Sequence, residues 1–169
     1  MKQQEGFTLI ELLLYSAVSV TIILATSSLY TIIMQVHLKT QTVATVEEQG
    51  THMLLLMTQT IRNARRIALP TPATEDTVLQ ATMDDPNVDP TVFRLVNGTL
   101  IVSQGKQNSE ALNNSRVAVT DLTFQNASPS AQFDSIKIQF TVMRTSTEER
   151  NEFSYSKTFY GTASIRVKR

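Results

Sequence analysis

The chain has 169 residues, with 15 Lys and Arg balanced by 15 Asp and Glu, two His, no Cys and no Trp. That balance argues against a broad electrostatic footprint for nucleic acid. The absence of cysteine excludes a disulfide framework, a thiolate metal site and a cysteine nucleophile. All five prolines (Pro70, Pro72, Pro86, Pro90, Pro129) follow Leu69, whereas residues 7–69 hold no proline and one glycine, Gly50.

The first element is apolar. Residues 12–34 form a run of 23 without a charge, 16 of them apolar and seven Ser or Thr. As a helix this run is roughly 35 Å long, enough for a bilayer core of about 30 Å. A cleaved secretory signal, with Ala25-Thr26-Ser27 as its cut, has the wrong proportions: its apolar region is shorter and its start more basic than Met-Lys-Gln-Gln-Glu. The helical pattern continues past the run. Val36, Val43, Val46, Gly50, Met53, Met57, Ile61, Ala64 and Ala68 recur at steps of three, four or seven, which is one face of a helix. Leu54, Leu55 and Leu56 widen that stripe, as expected where a helix docks on a domain. Leu69-Pro70 is expected to end it, and Gly50 is read as a place where it can bend.

The remainder reads as strands. Residues 71–90 form a proline- and aspartate-rich loop with one short strand near Thr77–Thr82. Two β-rich runs, 91–96 and 99–103, flank Asn97-Gly98, the strongest short hairpin signal. After a polar loop, residues 117–124 give a third run. Ile136, Ile138, Phe140 and Val142 alternate with polar residues, the period of a half-buried strand. Residues 153–160 and 164–167 close the chain. The expected fold class is α+β: a long N-terminal helix packed on a small antiparallel sheet. The expected divisions are 1–6 as leader, 7–34 as transmembrane half of the helix, 35–69 as its amphipathic half, and 70–169 as the sheet domain.

Gly6-Phe7-Thr8-Leu9-Ile10-Glu11-Leu12-Leu13 resembles the processing and assembly motif of type IV pilins and pseudopilins. Glu48-Gln49-Gly50, Leu54 to Thr60 and Ile61-Arg62-Asn63-Ala64 are similar to the second half of the long helix in minor pilins of the PilW/PulJ type. The closing Thr162-Ala163-Ser164-Ile165-Arg166 is similar to the final strand of that group. The chain departs from many major pilins in lacking a C-terminal cysteine pair. The resemblance implies a structural subunit rather than an enzyme, with no cofactor. On this resemblance a prepilin peptidase and methyltransferase would cut between Gly6 and Phe7 and methylate Phe7. The precursor would wait in the inner membrane with its C-terminal domain outside. It would then join other pilins or pseudopilins on an inner-membrane assembly platform, in a type IV pilus or type II secretion pseudopilus. Glu11 would pair with the α-amine of Phe7 on an adjacent subunit. The competing reading of Glu11 is a charge at headgroup level, where it costs little against about 3 kcal/mol at the bilayer centre. The competing reading of the whole chain is an uncleaved, membrane-anchored binding module.

Other residues invite chemistry. Asp85, Asn87 and Asp89 alternate as oxygen ligands of a calcium loop do, but the sharp-turn glycine is missing and Pro90 follows. A proline-stiffened solvated loop is the preferred reading. His37 and His52 are too far apart along one helix to share a metal. Arg62, Arg65 and Arg66 are placed on one helix flank, facing acidic loops of a neighbour or a nucleic acid; a solvated flank at a helix C-terminus is preferred. Phe153, Tyr155, Phe159 and Tyr160 read as sheet core and edge. The sequence contains no Ser-His-Asp pattern, phosphate loop or CxxC.

Overall fold

The computed structural model describes residues 8–107, 109–128, 135–145 and 155–166. The chain divides into two compact units, residues 1–40 and 41–169. The fold is α+β, one long N-terminal helix and two small antiparallel sheets. Helix α1 spans Leu9–Asn63 without a break. Its first part makes up the described portion of the first unit.

In the second unit, α1 buries Thr42, Val46, Gly50, Met53, Met57 and Ile61. The steps are three and four, so the stripe faces one way. It is narrower than expected: Leu54 and Leu56 are half-buried, but Leu55 is 53% exposed.

The helix ends six residues before the expected Leu69. At Ala64 the backbone N–H turns to the Ile61 carbonyl (3.3 Å), and the Arg65 N–H donates to the Thr82 carbonyl (2.8 Å). Strand β1, Arg66–Leu69, then begins. The sheet domain therefore starts at Arg66, not at residue 70. Pro70 forbids helix around itself, but sheet partners take the backbone earlier.

The other strands are β2 (Glu75–Asp76), β3 (Leu79–Thr82), β4 (Thr91–Val96), β5 (Thr99–Gln104), β6 (Glu110–Ala111), β7 (Val117–Asn126), β8 (Ser135–Arg144) and β9 (Ser156–Ser164). They form two sheets where one was expected, in the orders β1-β3-β4-β5-β6 and β2-β7-β8-β9. The hairpin at Asn97-Gly98 is as read: both residues have positive φ (49° and 77°), and Val96 pairs with Thr99. That geometry is the two-residue turn whose twist matches the strands.

Strand β7 buries Val117 and Val119, then Leu122, Phe124 and Asn126. The change of parity is absorbed at Asp121 (φ 52°), where the register with β8 slips between Thr120 and Thr123. The bulge lets both halves of one strand face the core.

The core gathers Met53, Met57 and Ile61 from α1 with Leu79, Phe93 and Leu100 from the first sheet and Phe124, Ile138 and Phe140 from the second. Two contacts interlock helix and strand. Gly50 lies against the Phe159 ring, and a Cβ there would stand 2.2 Å from Cε2 and Cζ. Gly161 on β9 lies against Leu54, and a Cβ there would stand 2.6 Å from Leu54 Cδ1. Gly50 is thus a packing notch within a continuous helix, a role distinct from the bend it could permit.

Two buried asparagines tie the loops. Asn113 Oδ1 accepts the Leu100 N–H (2.7 Å), while its Nδ2 donates to the Val117 (2.8 Å) and Gly98 (3.3 Å) carbonyls. Asn126 Nδ2 donates to the Pro70 carbonyl (2.9 Å). Among the described residues no buried side-chain polar atom lacks a partner.

Candidate functional site

Of the residues that carry the resemblance to the processing motif, the described ones, Thr8 to Leu13, lie at the start of α1. Thr8 precedes the helix, and its Oγ1 accepts the Glu11 N–H at 3.3 Å. That is the bond an N-cap makes to the third helical residue. Glu11 lies in the first turn, where the aligned peptide dipoles favour negative charge. Its Oε1 accepts a hydrogen bond from the Tyr15 hydroxyl at 3.4 Å. Gly6 and Phe7, the two residues of the expected cleavage, lie outside the described residues.

Around Glu11 the helix is apolar on every side. Leu9 is 79% and Ile10 75% exposed, and the exposure continues through Leu12, Leu13 and Leu14 to Ile33. α1 is long and apolar enough to cross a membrane, and none of its most apolar stretch is buried. Four of the seven Ser and Thr hydroxyls within residues 12–34 are turned to their own backbone. Ser16 donates to the Leu13 carbonyl (2.8 Å), Thr21 to Ala17 (2.9 Å), Thr31 to Ser27 (3.0 Å), and Thr26 to Ile22. Such back-bonding leaves methyl and methylene groups as the outer surface.

The second unit carries the other candidates. Asp85 Oδ1 accepts the backbone N–H and the side-chain amide of Asn87, both at 2.9 Å. Asp89 Oδ1 instead accepts the Met83 N–H at 2.8 Å. The two carboxylates brace different parts of the loop. Among the described residues no three His, Cys, Asp or Glu side chains converge on a point that suits a metal. His37 and His52 are exposed on α1.

The three arginines do not share a helix flank. Arg62 is in the last turn of α1, Arg65 follows the helix, and Arg66 opens β1. Arg62 joins Gln59, Asn63, Ser164 and Arg166 around an open depression of about 570 Å³. A second open depression, about 640 Å³, lies on the outer face of the second sheet, between Gln125, Lys137, Gln139, Tyr160 and Thr162. Tyr160 is 68% exposed and Phe159 buried, so adjacent aromatic residues of β9 face opposite ways.

Glu47 on α1 and Lys157 on β9 form an ion pair at 2.6 Å, with both carboxylate oxygens accepting from Nζ. Lys157 also lies over the Phe159 ring, 5.2 Å from its centroid. The hydrogen bond to Glu47 is the main cause that holds the Lys157 ammonium above its ordinary pKa range; desolvation opposes it, and the charge of Glu47 adds a lesser upward push.

Sequence reasoning singled out Glu11 and missed its two local partners. The signal for both was present: Thr8 stands three residues before Glu11, the spacing of an N-cap, and Tyr15 four residues after it, on the same helix face.

No protein-family model, curated protein or solved structure matches the chain.

Proposed function

We propose that this chain is a minor pilin or minor pseudopilin, made as a single-pass inner-membrane precursor with its C-terminal domain outside. Cleavage between Gly6 and Phe7 and methylation of Phe7 prepare it for entry into a type IV pilus or a type II secretion pseudopilus. There it primes or caps assembly with other pilins or pseudopilins.

The observation that carries the reading is one juxtaposition. Glu11, fifth when Phe7 is counted as first, stands at the head of a proline-free apolar helix whose outer surface belongs in lipid or in a helix bundle. A lone carboxylate is costly in such a bundle, and an ammonium partner from a neighbour offsets the cost. Phe7 would supply that ammonium, since methylation keeps its charge.

Mass spectrometry of the native protein tests the reading. The expected result is loss of residues 1–6 and gain of one methyl group, with Gly6→Ala blocking both. Glu11→Ala is expected to leave cleavage intact and to impair assembly. An intact Met1 start, with no fibre-associated pool, would favour the uncleaved membrane-anchored binding module instead.

A further inference from the structure

We infer that Tyr15 is a positioning residue for Glu11: its hydroxyl draws the carboxylate away from its own helix end and keeps it presented to an amine from another chain. This rests on the pilin reading above and deepens it.

Thr8-Leu9-Ile10-Glu11 has the spacing of a capping box. In that motif the N-cap hydroxyl takes the N–H of the third helical residue, and the carboxylate of that residue returns to the N-cap N–H. Only the first half is formed here, from the Glu11 N–H to Thr8 Oγ1 at 3.3 Å. Among the described residues, the carboxylate makes no return bond to Thr8. It accepts the Tyr15 hydroxyl instead, at 3.4 Å, one turn further along the helix.

The two orientations compete for one side chain. Folded back on Thr8, the carboxylate completes a cap within its own chain. Leaning toward Tyr15, it lies along the helix flank, because residues four apart share a face. At 3.4 Å the contact is long for an O–H···O bond. Withdrawal of water is expected to tighten it, since a hydroxyl on a carboxylate settles near 2.5–2.7 Å. A carboxylate in an apolar bundle needs donors as well as a counter-charge. The neighbour's amine supplies the charge and Tyr15 a further donor. Glu11 is also the sole acidic residue between Thr8 and Val46, so no other carboxylate stands within helical reach of Tyr15.

The test uses the full-length chain in its native cells, in four forms: parent, Tyr15→Phe, Glu11→Gln and both substitutions. All four are expected to be cleaved after Gly6. Tyr15→Phe is expected to lower the fibre-associated fraction by roughly tenfold, the order for one lost bond to a charged group. In the Glu11→Gln background the same substitution is expected to add nothing. The carbon-13 resonance of the Glu11 carboxyl, read in lipid bilayers, is expected to move in Tyr15→Phe. Equal fibre fractions for parent and Tyr15→Phe, or equal losses in both Glu11 backgrounds, would overturn the positioning role and leave the pilin reading standing. A parent chain that keeps residues 1–6 would overturn the pilin reading itself.

Discussion

Replacing Gly50 with alanine separates two opposing effects. In an isolated helix the change is favourable by about 1 kcal/mol, because glycine gives up more backbone freedom than alanine. Here the new methyl would stand 2.2 Å from Phe159 Cε2 and Cζ and 2.8 Å from Cδ2. The ring has little room to retreat. It is 7% exposed, it stacks on Phe140 with centroids 5.5 Å apart, and Lys157 covers it. Overpacking of this kind costs about 1–3 kcal/mol, and the depth of the clash places Gly50 near the upper end. The net is a destabilisation of about 2 kcal/mol, or a fall in Tm of roughly 8 °C for a unit of this size. The assay is thermal unfolding of the full chain in detergent, followed by circular dichroism. The decisive comparison is the background. With Phe159→Ala already present, Gly50→Ala should stabilise, by about the intrinsic helix preference of 1 kcal/mol. The same sign in both backgrounds would refute the argument that Gly50 exists to admit the ring.

Gly161→Ala should be milder, at about 1 kcal/mol, because its methyl meets the end of the half-buried Leu54 side chain, which can turn aside; a loss as large as that of Gly50→Ala would contradict this ranking. Asn113→Ala strands the buried Leu100 N–H and two carbonyls, and should cost about 2–3 kcal/mol, a drop of roughly 1 M in the urea midpoint; an unchanged midpoint would show that the asparagine ties nothing. Lys157 is held above its ordinary range by Glu47. Its folded value is the raised one, so the contribution is complete below the unfolded pKa of about 10.4 and is lost as pH climbs through the higher folded value. The stability gap between the parent and Lys157→Met should therefore close in strong alkali, and a constant gap across that range would remove the ion pair from the account.

The parts of this fold that were legible in the sequence are local ones. Asn97-Gly98 demands positive φ wherever it occurs between strands, and the alternation from Ile136 to Val142 states its own buried face. The end of α1 was not legible for a physical reason. Ala64 and Ile67 continue a helical spacing and also suit the chain's entry into a strand, so only the distant Thr82 carbonyl decides between them. The division into two sheets is equally non-local: β2 and β3 are neighbours in the chain, yet Glu75 and Asp76 pair with Gln125 and Phe124 while β3 joins β1 and β4 in the other sheet. At Asp121 a polar residue in a hydrophobic run hid a bulge. Glu11 stood out in the sequence as a charge at the head of an apolar run, whereas Tyr15 looked like one more large side chain in it. The contact between them depends on the rotamer Glu11 adopts, which no pattern of residue types records. Asp85, Asn87 and Asp89 looked alike in spacing but serve separate backbone donors, and that difference is visible only once the loop is folded.

The back-bonded hydroxyls of Ser16, Thr21, Thr26 and Thr31 have a consequence of their own. A polar group that must exchange one external partner for another ties a helix to its present surroundings, and each transfer carries a toll of desolvation. These four bring their acceptors along on the same rod. At these four positions the helix presents the same apolar surface whether acyl chains or neighbouring side chains enclose it.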